Sequence, residues 1–119
     1  MAIYASPTVR RLGILCKDAT FNQAAVGIVP KKDIGFVFIY LTLLSERDNL
    51  NNLASGAAQQ NLNVRIVRNY EIVVPTIDIL SKFDSIVNPI FKQLKSNTIE
   101  NMKLAQLRDT LLPKLINNF

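Results

Sequence analysis

The sequence predicts an α+β fold: a small antiparallel or mixed β module with short helices, followed by a long C-terminal helix suited to antiparallel helix pairing. Three observations carry this prediction. Short apolar segments separated by turn residues fill the first thirty positions, a longer apolar block follows at Ile34–Leu44, and helical spacing of apolar residues begins after Pro75. At 119 residues the chain suits one domain with an appendage, which we divide into residues 1–75 and residues 76–119.

The N-terminal segment predicts short strands. Ile3–Ala5 has the composition of the end of a strand, and Leu12–Cys16 is a second apolar strand. Phe21–Pro30 is a third candidate, closed by Pro30. Because the connection between the second and third segments is short and polar, antiparallel pairing of these two strands is expected.

The apolar block Ile34–Leu44 is compatible with either a buried strand or a helix. Its β-branched and aromatic residues favour a strand, whereas its length and the candidate N-cap Asp33 favour a helix. The helix is the preferred interpretation, and a second helix is expected after Ser45.

The stretch Ala54–Pro75 predicts a polar loop followed by two strands. Polar and apolar residues alternate along Asn61–Ile66, a turn follows at Arg68–Asn69, and Tyr70–Val74 is apolar. We therefore expect the ligand-reading part of the chain to lie before Pro75.

The segment after Pro75 predicts a helix with one uncertain point. Asn88–Pro89 either starts a second helix, since Asn is a good N-cap and Pro suits the first position, or kinks a continuous one. From Ile90 to Leu112 nothing interrupts the helix, which would be about 34 Å long. Pro113 is expected to kink or end it.

Heptad spacing along this helix predicts a coiled-coil seam and a dimer. A seam with some polar members is less stable but better specified in register. The alternative is that these residues pack inside one compact monomer. The predicted pairing residues are Val87, Ile90, Leu94, Asn97, Asn101, Leu104, Arg108 and Leu111.

Composition argues against several kinds of site. The chain has no histidine and a single cysteine, which excludes disulfide frameworks and His-based acid–base catalysis and makes a zinc site improbable. Its four glycines are scattered, so it has no phosphate-binding loop. No apolar run reaches the roughly 20 residues of a membrane span, and a cytoplasmic location is the default expectation. A non-catalytic protein is therefore expected.

The net charge of +5 and a set of amide and cationic side chains suit contact with DNA. Asn and Gln can pair with adenine edges, Arg pairs with guanine, and Lys and Arg neutralise phosphates. Each of these side chains is also compatible with an ordinary surface role. The candidates near predicted turns and strand ends are Arg10, Arg11, Asn22, Gln23, Lys31, Lys32, Gln59, Gln60, Asn61, Arg65 and Arg68.

Four segments in this order resemble the specificity subunit of type I restriction–modification systems. They are SPTVRRLGIL–KDATFNQAAVGIVPK, the block ending FIYLTLL, LASGAAQQNLNVRIVRNYEIVVP, and a long helix ending MKLAQLRDTLLPKLI. The resemblance implies a recognition domain that reads half of a bipartite site in double-stranded DNA, followed by a spacer helix that pairs antiparallel. It also implies modification subunits as partners. S-adenosylmethionine and ATP would be on those partners, with no cofactor on this chain.

The chain departs from the family pattern in two ways. The family's recognition domain begins upstream of Met1, so we expect residues 1–75 to be the C-terminal part of one such domain and residues 76–119 to be its spacer helix. Many members also have a Pro-rich, Glu-Gln turn where this chain reads Pro75–Ile79. The alternative function is a helix-mediated dimerisation or scaffolding piece that binds no DNA of its own.

Overall fold

A computed structural model of the protein describes residues 3–5, 12–20, 26–55 and 64–118. Three short strands, β1 (Ile3–Ala5), β2 (Leu12–Ile14) and β3 (Val26–Ile28), form a sheet in the order β2-β1-β3. Both neighbours run antiparallel to β1. The predicted pairing of the second and third segments with each other is wrong, because β1 lies between β2 and β3 and pairs antiparallel with both.

Four helices follow the sheet: α1 (Phe36–Ser45), α2 (Arg47–Ser55), α3 (Val64–Asn69) and α4 (Ile77–Asn117). The ambiguous apolar block is thus a helix, as preferred, and the α+β fold class is confirmed. The predicted N-cap Asp33 is wrong, because the N-cap of α1 is Gly35. A turn whose Ile34 and Gly35 amides both donate to the Lys31 carbonyl, at 3.1 and 3.3 Å, moves the start of the helix two residues downstream.

The core lies where the sheet meets the first helices. Val26 of β3, Leu43 of α1 and Leu50 of α2 are buried together. With a core this small, each partly buried neighbour matters to stability, since hydrophobic stabilisation scales with the apolar area removed from water. The partly buried residues packed around it are Leu12, Ile14, Ile28, Ile39, Tyr40, Ile66, Val67 and Tyr70.

The two strands predicted between Asn61 and Val74 are wrong. Residues 64–69 form helix α3, and residues 70–76 have no regular secondary structure. Ile66 and Val67 of α3, together with Tyr70 just after it, reach the core at helical spacing, which overrides the local alternation. The segment after it pairs with no strand in the described structure, and Val73 is 90% exposed. β propensity needs such a partner to produce a strand.

Helix α4 is continuous for 41 residues, with Pro89 and Pro113 inside it. Of the alternatives at Asn88–Pro89, the structure therefore has the continuous helix. Of the two outcomes expected at Pro113, a kink or an end, the end is wrong, because the helix continues to Asn117. A proline removes one backbone hydrogen bond but leaves the bonds on either side in place. At 1.5 Å per residue the helix is about 62 Å long, which matches the 60 Å extent of the molecule.

Candidate nucleic-acid interface

The β module is joined to α4 by aromatic packing against α1. The Phe91 ring lies edge-on to the rings of Phe36 and Tyr40, with centroids 6.2 and 6.0 Å apart. Phe38, which lies between Phe36 and Tyr40 on α1, forms a similar pair at 6.3 Å with Phe83, two turns before Phe91 on α4. Edge-to-face pairs stabilise by about 0.5–1.5 kcal/mol beyond area burial. These rings therefore fix the angle at which the module sits on the long helix.

A second contact at this joint involves a backbone position that favours glycine. Gly35, the N-cap of α1, has φ 77° and ψ 150° and its backbone lies against the Asp84 carboxylate of α4. A Cβ at position 35 would lie 3.0 Å from Asp84 Oδ2. The N-terminal turn of a helix has free amides and a partial positive charge, so a carboxylate there is favourable. The Asp84 carboxylate therefore lies beside the start of α1, although its Oδ1 is buried without a hydrogen-bond partner among the described residues.

The segment leading into α4 is held by a side-chain network around Glu46. The Tyr70 hydroxyl donates to Glu46 Oε2, and Asn49 Nδ2 donates to the same oxygen at 2.8 Å. The hydrogen bond from Tyr70, and then that from Asn49, lowers the pKa of the Glu46 carboxyl. The same carboxylate raises the pKa of the Tyr70 hydroxyl. The network ties the segment after α3 to the corner between α1 and α2.

The structure describes four of the residues predicted to contact DNA. Lys31 and Lys32 are exposed at the turn before α1, and Arg65 and Arg68 are exposed on α3. None of the four is in an ion pair within the described residues. Arg65 lines a recess of about 360 Å³ with Leu53, Ile66, Asn69 and Tyr70. The remaining candidates, which lie outside the described residues, are Arg10, Arg11, Asn22, Gln23, Gln59, Gln60 and Asn61. Contact with DNA therefore stays a prediction for all of them.

The predicted pairing residues lie along α4, and most are exposed. Leu104 is 55% exposed and Leu111 is 45% exposed, while Val87 is half-buried against the module side. Asn97 accepts a hydrogen bond from Gln93 at 2.8 Å, and Arg108 Nε lies 2.9 Å from the carboxylate of Asp109. Ile90, Leu94 and Asn101 are also exposed. Their pairing with a second helix stays a prediction.

The C-terminal half of α4 projects from the rest of the protein. From Ile99 to Asn118 every side chain is exposed except Ala105, which is half-buried. Beyond the pairing residues, Met102, Leu107, Leu112 and Leu115 are also apolar and 40–57% exposed. A monomer leaves all of this apolar surface in water, so this half of the helix is suited to a partner.

Sequence reasoning missed the contacts that position the candidate interface. The side chains of Glu46 and Tyr70 are 24 residues apart, and Gly35 and Asp84 are still farther apart in sequence. No local pattern indicates such pairs.

Two further kinds of feature were sought among the described residues, a metal site and a membrane span. They contain no group of three or more His, Cys, Asp or Glu side chains placed to hold a metal ion. Among the described helices, none combines the length and the apolar character that crossing a membrane requires.

Comparison with known proteins gives a consistent family. The family described as "Type I restriction modification DNA specificity domain" matches residues 4–108. The type I restriction enzyme HindI specificity subunit of Haemophilus influenzae is 37% identical over 113 residues, 92% of this chain and 25% of the relative. The type I restriction enzyme MjaIX specificity subunit of Methanocaldococcus jannaschii is 34% identical over 79 residues, 66% of this chain and 18% of the relative.

The chain thus spans about a quarter or less of the length of the curated relatives it matches. No solved structure matches it significantly. The family match covers the sheet, all three short helices and most of α4, which is the same set of segments that carries the sequence resemblance. The chain belongs to the family of type I restriction–modification DNA specificity domains.

Proposed function

We propose that this chain takes part in sequence-specific recognition of double-stranded DNA as part of the specificity subunit of a type I restriction–modification complex, without catalysing a reaction itself. The observation that carries the proposal is the family match over residues 4–108. Modification subunits are its proposed partners, and S-adenosylmethionine and ATP are proposed to bind there. The proposed location is the cytoplasm.

The exposed cations of the β module support this proposal. Lys31, Lys32, Arg65 and Arg68 have no acidic partner within the described residues, so their charge is available to a polyanion. Phosphate contacts of this kind fix the position of a protein on the duplex, whereas contacts with base edges supply specificity. We assign these four residues to positioning and leave base reading to the predicted amide side chains.

Helix α4 is proposed to set the distance between two recognition modules by pairing antiparallel with a second helix of the same kind. Its unbroken length of about 62 Å and the exposed Leu104 and Leu111 support this role. Fully burying a leucine side chain stabilises by about 1.5–3 kcal/mol, so a few such residues can hold a pair together.

The test is DNA binding by the chain assembled with its modification subunits, measured by gel-shift titration. Arg65→Ala or Lys31→Ala should weaken binding because each removes a phosphate contact. Lys82→Ala is the matched control, since Lys82 is an exposed cation of α4 outside the module. The DNA-binding assignment fails if no basic substitution within residues 1–75 weakens binding.

A second candidate function is helix-mediated dimerisation without DNA binding. The observation that favours it is the apolar surface of the projecting half of α4, where Leu111 is 45% exposed and Leu115 57% exposed. Leu111→Asp should convert a dimer to a monomer in light scattering, whereas Gln106→Asp, an exposed position on another side of the helix, should not. A dimer that binds no DNA at any salt concentration would favour this candidate.

A further inference from the structure

Three lysines recur along α4 at intervals of eleven residues: Lys92, Lys103 and Lys114. Eleven residues are slightly more than three turns of an α-helix, so successive members are displaced by only about 20° around its axis. All three are exposed. Because α4 is unbroken from Ile77 to Asn117, they form a single row along one side of it.

The charge of this lysine row is not neutralised by the protein. None of the three lysines is in an ion pair within the described part of the chain. Between Lys92 and Lys114 the helix has two acids. Glu100 lies at the edge of the row, and Asp109, which is paired with Arg108, lies about 120° away from it. The side chains between the lysines on this side include the uncharged Ser96, Ile99 and Thr110.

The row borders a recess on the surface of α4. The recess has a volume of about 480 Å³ and is lined by Lys92, Lys95, Ser96, Ile99, Glu100 and Lys103. Lys95 also lines a second recess, of about 420 Å³, that includes Lys17, Asp18 and Val29 beside the sheet. Lys95 of the helix therefore lies beside Lys17 and Asp18 of the β module.

The spacing of the row matches the backbone of duplex DNA. Eleven residues rise about 16.5 Å along the helix axis. A turn of B-DNA is about 34 Å, and a line drawn along its side crosses one of the two backbones about every 17 Å on average. A helix lying along the duplex would therefore bring each lysine to a successive crossing of a phosphate backbone.

We propose that Lys92, Lys103 and Lys114 form a phosphate-binding row through which α4 lies along the sugar–phosphate backbone of double-stranded DNA, independently of base sequence. This inference rests on the proposed function and extends the DNA contact beyond the module. Lysine is suited to the role as a flexible point charge that binds phosphate.

The row leaves the predicted pairing seam free. The middle of that seam, at Ile90 and Arg108, is about 140° around the helix from the lysine row. DNA contact and helix pairing therefore use different sides of α4 and can occur together. An acidic protein surface is the competing occupant. The repeat distance favours DNA, because a folded protein surface has no fixed charge period.

The experiment measures binding of the full chain to a short duplex of arbitrary sequence by fluorescence anisotropy over a series of salt concentrations. Affinity falls as salt rises, and each phosphate contact makes the slope of log affinity against log salt steeper by about 0.9. The slope of the Lys92→Ala/Lys103→Ala/Lys114→Ala variant should therefore be shallower by about 2.7 than that of the unaltered protein. Between about 50 and about 200 mM salt, its affinity should then fall about 40-fold less than that of the unaltered protein.

Two variants are controls. Lys92→Arg/Lys103→Arg/Lys114→Arg keeps the charges and should keep the slope, and Lys82→Ala removes one exposed α4 charge outside the row and should leave the slope nearly unchanged. Alanine favours a helix at least as well as lysine, so helicity measured by circular dichroism should persist.

An unchanged slope in the triple alanine variant overturns the inference, as does an equal loss from Lys82→Ala. Failure of the full chain to bind any duplex at the lowest salt also overturns it. A triple alanine variant with normal DNA binding but impaired assembly with modification subunits would assign the row to a protein surface instead, which again overturns it. The proposed function is judged separately, by the sequence preference of the assembled complex.

Discussion

Gly35 has a backbone conformation, φ 77° and ψ 150°, that side-chain-bearing residues adopt only at a cost. Its own amide donates to the Lys31 carbonyl at 3.3 Å, and α1 begins at the next residue. In Gly35→Ala the new Cβ would lie 3.0 and 3.2 Å from the two carboxylate oxygens of Asp84. The substitution therefore strains the backbone and also displaces the carboxylate from the N-terminus of α1.

The two effects differ in size. A non-glycine residue in this region of backbone angles costs about 1–3 kcal/mol. Moving the Asp84 carboxylate is cheaper, because it is the end of a side chain that can rotate, and the lost interaction with the helix N-terminus is about 0.3–1 kcal/mol. We expect Gly35→Ala to lower the free energy of unfolding by about 2–3 kcal/mol in total.

Urea denaturation followed by circular dichroism measures this loss. Gly27→Ala is the control, because Gly27 is exposed in β3 and has no positive φ, so its effect should be smaller, about 1 kcal/mol or less. In Gly35→Ala/Asp84→Ala, most of the loss should remain, since removing the carboxylate does not relieve the backbone. Equal losses from Gly35→Ala and Gly27→Ala would refute the reasoning, and full rescue by Asp84→Ala would show that the clash dominates.

Three other substitutions test the joint and its approach. Phe91→Ala should lower the free energy of unfolding, measured by urea denaturation, by about 2–3 kcal/mol, since two edge-on ring pairs are lost. Ile90→Ala, at the neighbouring exposed position, should lower it by less than about 1 kcal/mol. Similar losses from the two variants would contradict the packing of Phe91. Pro89→Ala should raise stability, by up to about 3 kcal/mol, because it restores a helical hydrogen bond; a loss would show that the proline is required. In Tyr70→Phe the pKa of the Glu46 carboxyl should rise toward its ordinary value in an NMR titration, because the hydrogen bond that lowers this pKa most is removed. The lowered pKa of Glu46 contributes stability above its ordinary value of about 4.3, and this contribution is lost as pH falls through the folded-state value. The free energy of unfolding of Tyr70→Phe should therefore fall less on acidification than that of the unaltered protein. An equal fall in both would argue against the hydrogen bond between Tyr70 and Glu46.

Residue patterns predict much of the function, but they predict only part of how the candidate site residues are arranged. The surface character of Lys31 and Arg65 follows from their charge, and the structure agrees that they are exposed. Their neighbours could not be predicted, because Tyr70 was assigned to a strand and instead leads from α3 to a contact with Glu46. Such a contact depends on which elements pack together.

The lysine row on α4 likewise could not be predicted from the sequence alone. The eleven-residue spacing of Lys92, Lys103 and Lys114 is visible in the sequence. It places them on one side of a helix only if that helix runs unbroken past Pro113, where local propensity predicts a kink or an end.

The amino-acid sequence alone determined the fold class, the helix α1, the existence of a long helix after Pro75 and the family, because each depends on periodicity or on motifs that are local in the chain. Tertiary structure determined that α3 is a helix, that residues 70–76 have no regular secondary structure, that Phe91 packs against α1 and that Asp84 lies beside the start of α1. The physical reason is that short segments have weak intrinsic preferences, so the partner against which they pack selects their conformation.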